Sequence, residues 1–168
     1  MRPNENEYGA YYHGYIQKVP EGTIVENLKN SIEETVAVLK NIPEEKGDYR
    51  YAEGKWTIKE LLAHMVDVER VMSYRALRVG RGDQTPIPGF DQDEYVLTCN
   101  AADRTIADLT AEFQAIRQAT IYLFEHFTDE MLLNIGNASG YPISTRALGY
   151  ILIGHEIHHM NILKERYL

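Results

Sequence analysis

The chain has almost no sulfur with which to crosslink itself. Cys99 is the single cysteine in 168 residues, so no internal disulfide framework can form, and a reducing compartment suits it. No uninterrupted apolar run reaches the ~18–20 residues of a membrane-spanning helix. The net charge is −8 and there is no run of lysine and arginine, so nothing favours nucleic acid or an anionic membrane surface. A glycine-rich phosphate loop and a Gly-x-Ser-x-Gly nucleophile elbow are both missing. No internal repeat or low-complexity segment is visible, and no segment reads as a convincing strand. The polar, acidic start (Met1-Arg2-Pro3-Asn4-Glu5-Asn6-Glu7) has no hydrophobic signal core. The expectation is a cytoplasmic protein of one domain over residues 1–168, with residues 1–20 as an N-terminal arm. Tyr8, Tyr11, Tyr12 and Tyr15 crowd that arm and suit packing over the domain or a partner.

Helical periodicity fills most of the rest. Ile24, Leu28, Ile32, Val36 and Leu39 recur at spacings of three and four from about Thr23 to Ile42, where Pro43 stops the helix. Thr57-Ile58-Lys59-Glu60 is a capping box that opens a second helix running to about Val79. Residues 81–100, with Pro86, Pro88 and Gly89, read as a long crossover loop carrying a short helix near Asp93 to Thr98. A third helix spans about Asp103 to Phe127, and Thr128 caps a further short turn. Gly136 to Pro142 is a turn-rich break, and the last helix runs from about Ser144 to the C-terminus. The pattern predicts an all-α fold, an up-down four-helix bundle with a long crossover between its second and third helices.

Four of the six histidines occupy suggestive positions. On a helical wheel, Leu148, Ile151, Leu152 and Ile162 lie within about 60° of His155. His159 falls amid that apolar face, so both rings point into the bundle. A lone inward histidine is ordinarily a satisfied hydrogen bonder, whereas two at i, i+4 on one face can grip a single ion. His64, on the apolar face of the second helix, supplies a third imidazole if the second and fourth helices are neighbours. Three neutral imidazoles with an open position suit a catalytic ion, zinc first, with nickel, copper or ferrous iron also compatible. Asp67 and Glu60, one turn either side of His64, are candidates to orient the ligands or a water. His158 falls at the helix flank, Glu156 reads as a surface carboxylate, and His13 and His126 read as structural or exposed.

Other chemistries fit less well. Cys99, alone in a crossover loop, reads as a small hydrophobe rather than a nucleophile. His155, Glu156 and His159 formally satisfy the His-Glu-x-x-His pattern of zinc peptidases. The chain is short, however, lacks a sheet to hold a peptide strand, and has a candidate third ligand on another helix.

Lys55-Trp56-Thr57-Ile58-Lys59-Glu60-Leu61-Leu62-Ala63-His64-Met65 resembles the segment that opens the second helix of the DinB/YfiT-like superfamily. The terminal stretch from Gly154 through His155, His159 and Asn161 to Leu168 is similar to that family's His-x-x-x-His helix. The resemblance covers nearly the whole chain. It implies a four-helix bundle that holds a divalent transition metal through His64, His155 and His159, acts on a small molecule and commonly forms homodimers. It also implies thiol-dependent S-transferase or isomerase chemistry with bacillithiol, mycothiol or glutathione. Metal-dependent hydrolysis is the alternative, and a non-catalytic metal-binding stress-response protein is a third. Asn161 stands where related sulfoxide synthases carry a glutamate, which weakens the link to their oxygen-dependent chemistry. In the transferase reading, Arg70, Arg75, Arg78, Arg81 and Arg146 are the basic groups available at a cavity mouth.

Overall fold

A computed structural model describes residues 1–168. Two 3-10 turns, Glu5–Glu7 and Ala10–Tyr12, lead into a short helix α1 (His13–Ile16). The long helices are α2 (Ile24–Leu39), α3 (Ile58–Gly80), α5 (Ile106–Glu125) and α7 (Thr145–Ile162). Between them lie α4 (Gln92–Thr98), α6 (Asp129–Leu133) and a hairpin of β1 (Ile135–Ala138) and β2 (Tyr141–Ser144), and a π-helical turn, Leu163–Tyr167, follows α7. No helix is long and apolar enough to cross a membrane.

The helices begin where hydroxyl side chains can bond the exposed backbone amides of a first turn. Thr23 and Thr57 build complete capping boxes with Glu26 and Glu60. Thr105, Thr128 and Ser144 cap α5, α6 and α7.

The four long helices form a bundle in which α3 packs on α5 and α7, and α2 packs on the same two. Helices α2 and α3 therefore face each other across a diagonal. Pairings fix the directions: Glu69 meets Arg117 and Gly80 meets Phe127, so α3 and α5 run parallel. Residues 81–105 make the crossover that parallel neighbours need. Ile24 against Gly149 and Thr35 against Glu156 make α2 and α7 parallel as well.

Two expectations are corrected. Residues 136–142 hold a hairpin, with Ile135 opposite Ser144 and Ala138 opposite Tyr141. Its strands have four residues each and contain Gly136 and Pro142, so no alternating pattern develops. The two-residue turn Ser139-Gly140, with φ of 55° and 84°, has the positive φ values of a type I′ connection. Second, Glu156 is not a surface carboxylate. It is 2% exposed and lies in the core, accepting from Thr35 Oγ1 at 2.7 Å and from Arg117 at 2.6 Å. Arg117 also grips both oxygens of Glu69, at 2.7 and 2.9 Å, and donates to Ser31 Oγ at 2.9 Å. One guanidinium thus ties α2, α3, α5 and α7 together.

The N-terminal arm packs on this bundle. Glu7 is buried and accepts from Arg146 and, at 2.8 Å, from Ser144 Oγ, which holds its carboxyl down at about 2. The arm crosses α7 where that helix has no side chain: a Cβ on Gly154 would strike the backbone carbonyl of Tyr15.

Two outcomes follow from these contacts. Arg117→Met leaves two buried carboxylates without their cation and lowers unfolding free energy by about 3–5 kcal/mol in denaturant titration; a loss under ~1 kcal/mol contradicts this account. Gly154→Ala displaces the arm, so limited proteolysis near residues 9–20 accelerates while helix content by circular dichroism stays close to wild type.

Candidate metal centre

Helix α3 presents His64 toward α7, and α7 presents His155 and His159 back at it. All three are buried, and their ring centroids lie 4.4–4.9 Å apart. His155 Nε2 is 3.0 Å from His64 Nε2 and 3.1 Å from His159 Nε2, and one ligand atom from each ring lies within 4.8 Å of the others.

Hydrogen bonding alone does not satisfy this arrangement. An imidazole nitrogen carries either one proton or one in-plane lone pair, so His155 Nε2 can serve only one of its two neighbours well. A single cation satisfies all three lone pairs. Around a tetrahedral ion with bonds of ~2.0–2.1 Å, adjacent ligand atoms sit about 3.3 Å apart, close to the two Nε2–Nε2 separations of 3.0 and 3.1 Å. The donor set fits a divalent transition metal.

Burial also keeps the rings neutral. Removal from water, then the charge of His158, pushes His64 down to about 4, and burial, then His64 and His158, pushes His159 down to about 3. His155 is held well below its usual value, by burial first and by the other histidines next. Neutral imidazole is the form that ligates metal.

Packing orients the rings. Trp56 lies over His64 at 4.7 Å between centroids and stacks near His159 at 6.4 Å. Tyr15, on α1, meets His155 edge-on at 5.6 Å and His158 at 5.3 Å. The carboxylates expected to orient the ligands or a water make no bond to the rings. Glu60 Oε2 accepts the Thr57 amide at 2.7 Å, Asp67 lies 3.9 Å from Arg70, and neither bonds a ring nitrogen. His159 Nδ1 is buried without a hydrogen-bond partner. His158 is half-buried at the flank; His13 bonds Tyr8 and Gln17, and His126 bonds the Tyr122 carbonyl. The salt bridge to Arg117 also takes Glu156 out of the role a zinc peptidase requires of it.

Two cavities reach the cluster. One, of about 630 Å³, is lined by His159, Trp56 and Glu60 and by the cations Arg50 and Lys55. The other, of about 210 Å³, is lined by His155 with Tyr11, Tyr12, Tyr15, Met72 and Phe90. Four of the five arginines proposed for the mouth are engaged elsewhere, and the fifth is buried. Arg70 pairs with Glu112, Arg78 with Asp83 and Arg146 with Glu7, Arg81 touches Met131, and Arg75 is buried. Arg50 and Lys55 were missed because they sit in the loop before Thr57, where periodicity gives no facing; their proximity to Trp56 was the available signal.

The ring pKa values set an acid limit. Between 6.5 and about 4 the unfolded chain takes up protons that folded His64 and His159 refuse, so this cost is absent above 6.5 and grows as pH falls. The metal-free protein should melt progressively lower across that window, and His64→Phe should flatten the slope. Identical slopes for the two proteins would contradict the assignment.

Comparisons with known proteins agree with this geometry. The model of the DinB superfamily (DinB_2) matches residues 27–163. A protein of Oceanobacillus iheyensis, provisionally named a metal-dependent hydrolase, is 26% identical over 142 residues, covering 83% of this chain and 79% of its own length. Among solved structures, YfiT of Bacillus subtilis, described provisionally as a metal-dependent hydrolase with an unusual four-helix bundle topology, superposes with a TM-score of 0.72 at 17% identity, over 98% of this chain and 90% of that one. The DinB-like protein YjoA of Bacillus subtilis gives 0.61 at 22% identity, over 85% and 87%. A mycothiol-dependent maleylpyruvate isomerase gives 0.67 at 12% identity, over 86% of this chain and 61% of that one. The family match takes in the four long helices almost entirely and all three clustered histidines, and the chain belongs to the DinB superfamily.

Proposed function

We propose that this protein is a divalent-metal-dependent S-transferase that joins a low-molecular-weight thiol, such as bacillithiol, to a small electrophile. The observation that carries the reading is the pair of cavities meeting at one histidine cluster. Hydrolysis needs room for one organic substrate and a water; thiol transfer needs room for two organic partners, and here one compartment carries the charged side chains Arg50, Lys55, Glu60 and Asp93 while the other carries none. The isomerase neighbour, named for its dependence on a thiol, supports the same chemistry.

His64, His155 and His159 would hold the ion, zinc first, with nickel or iron as alternatives. A divalent cation in that position supplies Lewis acidity, which lowers the pKa of a thiol or a water brought beside it. Arg50 and Lys55 bind the carboxylate groups that a small peptide-like thiol carries. Glu60 lines the same cavity with only Oε2 engaged by the Thr57 amide, so Oε1 can accept the thiol proton. The sulfur's electron pair then forms the new bond to carbon as the leaving group departs with its own pair. Trp56 covers two of the rings and limits water at the cluster.

The relatives named as metal-dependent hydrolases support a second reading, in which water takes the place of the thiol. The two are separable by one assay. The metal-loaded protein with bacillithiol or glutathione and 1-chloro-2,4-dinitrobenzene is expected to release chloride and form the thioether. His64→Ala should remove the activity and lower bound metal at least ~10-fold, and Trp56→Ala should weaken metal binding by ~10–100-fold in chelator competition. Ester turnover with no thiol present would favour the hydrolase, and a purified protein without stoichiometric transition metal would overturn both.

A further inference from the structure

Three arginines are buried in this chain, and two of them have carboxylate partners: Arg117 pairs with Glu69 and Glu156, and Arg146 with Glu7. Arg75 is the exception. It is 1% exposed on α3, no carboxylate lies within 4.0 Å, and its Nε is buried without any hydrogen-bond partner. Its remaining contacts are neutral. Nη2 donates to the Pro88 carbonyl at 2.9 Å and to Ser139 Oγ at 3.1 Å, Nη1 approaches Met72 Sδ at 3.8 Å, and the guanidinium lies over the Phe90 ring at 5.6 Å. Buried charges are ordinarily paired, because desolvation costs several kcal/mol per ion. The counter-ion for Arg75 is missing from the chain.

Its surroundings point to where that counter-ion sits. Met72, Phe90 and Ser139, three of the groups Arg75 touches, line the 210 Å³ cavity that His155 also lines. Ser139 is held at φ 55°, the left-handed region a non-glycine residue rarely adopts. Its Oγ accepts a hydrogen bond from the Arg75 guanidinium and makes no other. Its own proton is free to donate into the cavity. Arg75, Ser139 and a ligand anion would then form a chain of charge-assisted hydrogen bonds. The remaining wall, from Tyr11, Tyr12, Tyr15, Val68 and Ile151, is largely apolar and aromatic, with Gln92 the one amide.

We propose that this cavity binds the electrophilic partner as a small, single-ring or comparably compact apolar molecule bearing a carboxylate. The carboxylate sits on Ser139 Oγ, backed by Arg75, and the reactive end faces His155. The inference rests on the transferase reading for the word electrophile, but the anion site itself is tested by binding alone.

The probes are 4-nitrobenzoate and its neutral isostere 4-nitrobenzamide, titrated into the protein as purified and followed by calorimetry. The benzoate should bind one per chain and at least ~10-fold more tightly than the amide. Arg75→Met should erase that preference while leaving the melting temperature unchanged or higher, because it removes an unpaired buried charge. Ser139→Gly, which relieves the backbone and deletes the hydroxyl, should also erase it. In the wild type the Arg75 Nε–H resonance should shift with benzoate and not with amide, a readout that needs no variant to fold. Equal affinity for the two probes, a preference that survives both substitutions, or an unmoved Arg75 resonance would overturn the proposal. Benzoate binding that depends on Arg75, in a protein with no thiol-transfer activity, would leave this site standing and sink the transferase reading.

Discussion

Everything at the site depends on three imidazoles being driven out of water into one another's company. Desolvation strips their protons, and convergence leaves their lone pairs without enough N–H groups to answer them. Helix α7 makes this possible by being buried on nearly every side, between α2 and α3 in the bundle and under α1 on its outer face. Gly154 admits α1 at backbone distance, which brings Tyr15 against His155. The aromatic lid and the metal-binding geometry are therefore one packing problem, solved by a glycine adjacent to a ligand.

Charge is arranged around that cluster with some economy. One guanidinium serves two carboxylates, Glu69 and Glu156, in the layer behind His155, so the core there carries more acid than base. On the other side, Arg75 leaves an uncompensated positive charge behind the aromatic cavity.

Most of the bundle was legible because long amphipathic helices announce themselves through apolar spacing and capping boxes. Thr57 with Glu60, and the inward pair His155 and His159, were read from local rules alone. What local rules could not reach were long-range partners. Glu156 looked exposed because it projects away from His155, yet the residue it faces, Arg117, is 39 positions earlier on a helix whose neighbours no periodicity specifies. The hairpin escaped because four-residue strands containing Gly136 and Pro142 carry no alternation, although Ser139-Gly140 between Ile135 and Ile143 was a turn signal. Arg50, Lys55 and the burial of Arg75 likewise depend on tertiary placement. Carboxylates one turn from His64 were reasonable partners by spacing, but Glu60 turns one oxygen to the Thr57 amide, Asp67 lies beside Arg70, and neither bonds a ring.

X-ray absorption at the edge of the bound metal tests the central claim most directly. This account predicts three imidazole nitrogens at ~2.0–2.1 Å with a light, exchangeable ligand in the open position, and a new sulfur scatterer near ~2.3 Å when bacillithiol is added. Fewer than three imidazoles in the wild type, or a spectrum indifferent to His64→Ala, would contradict it.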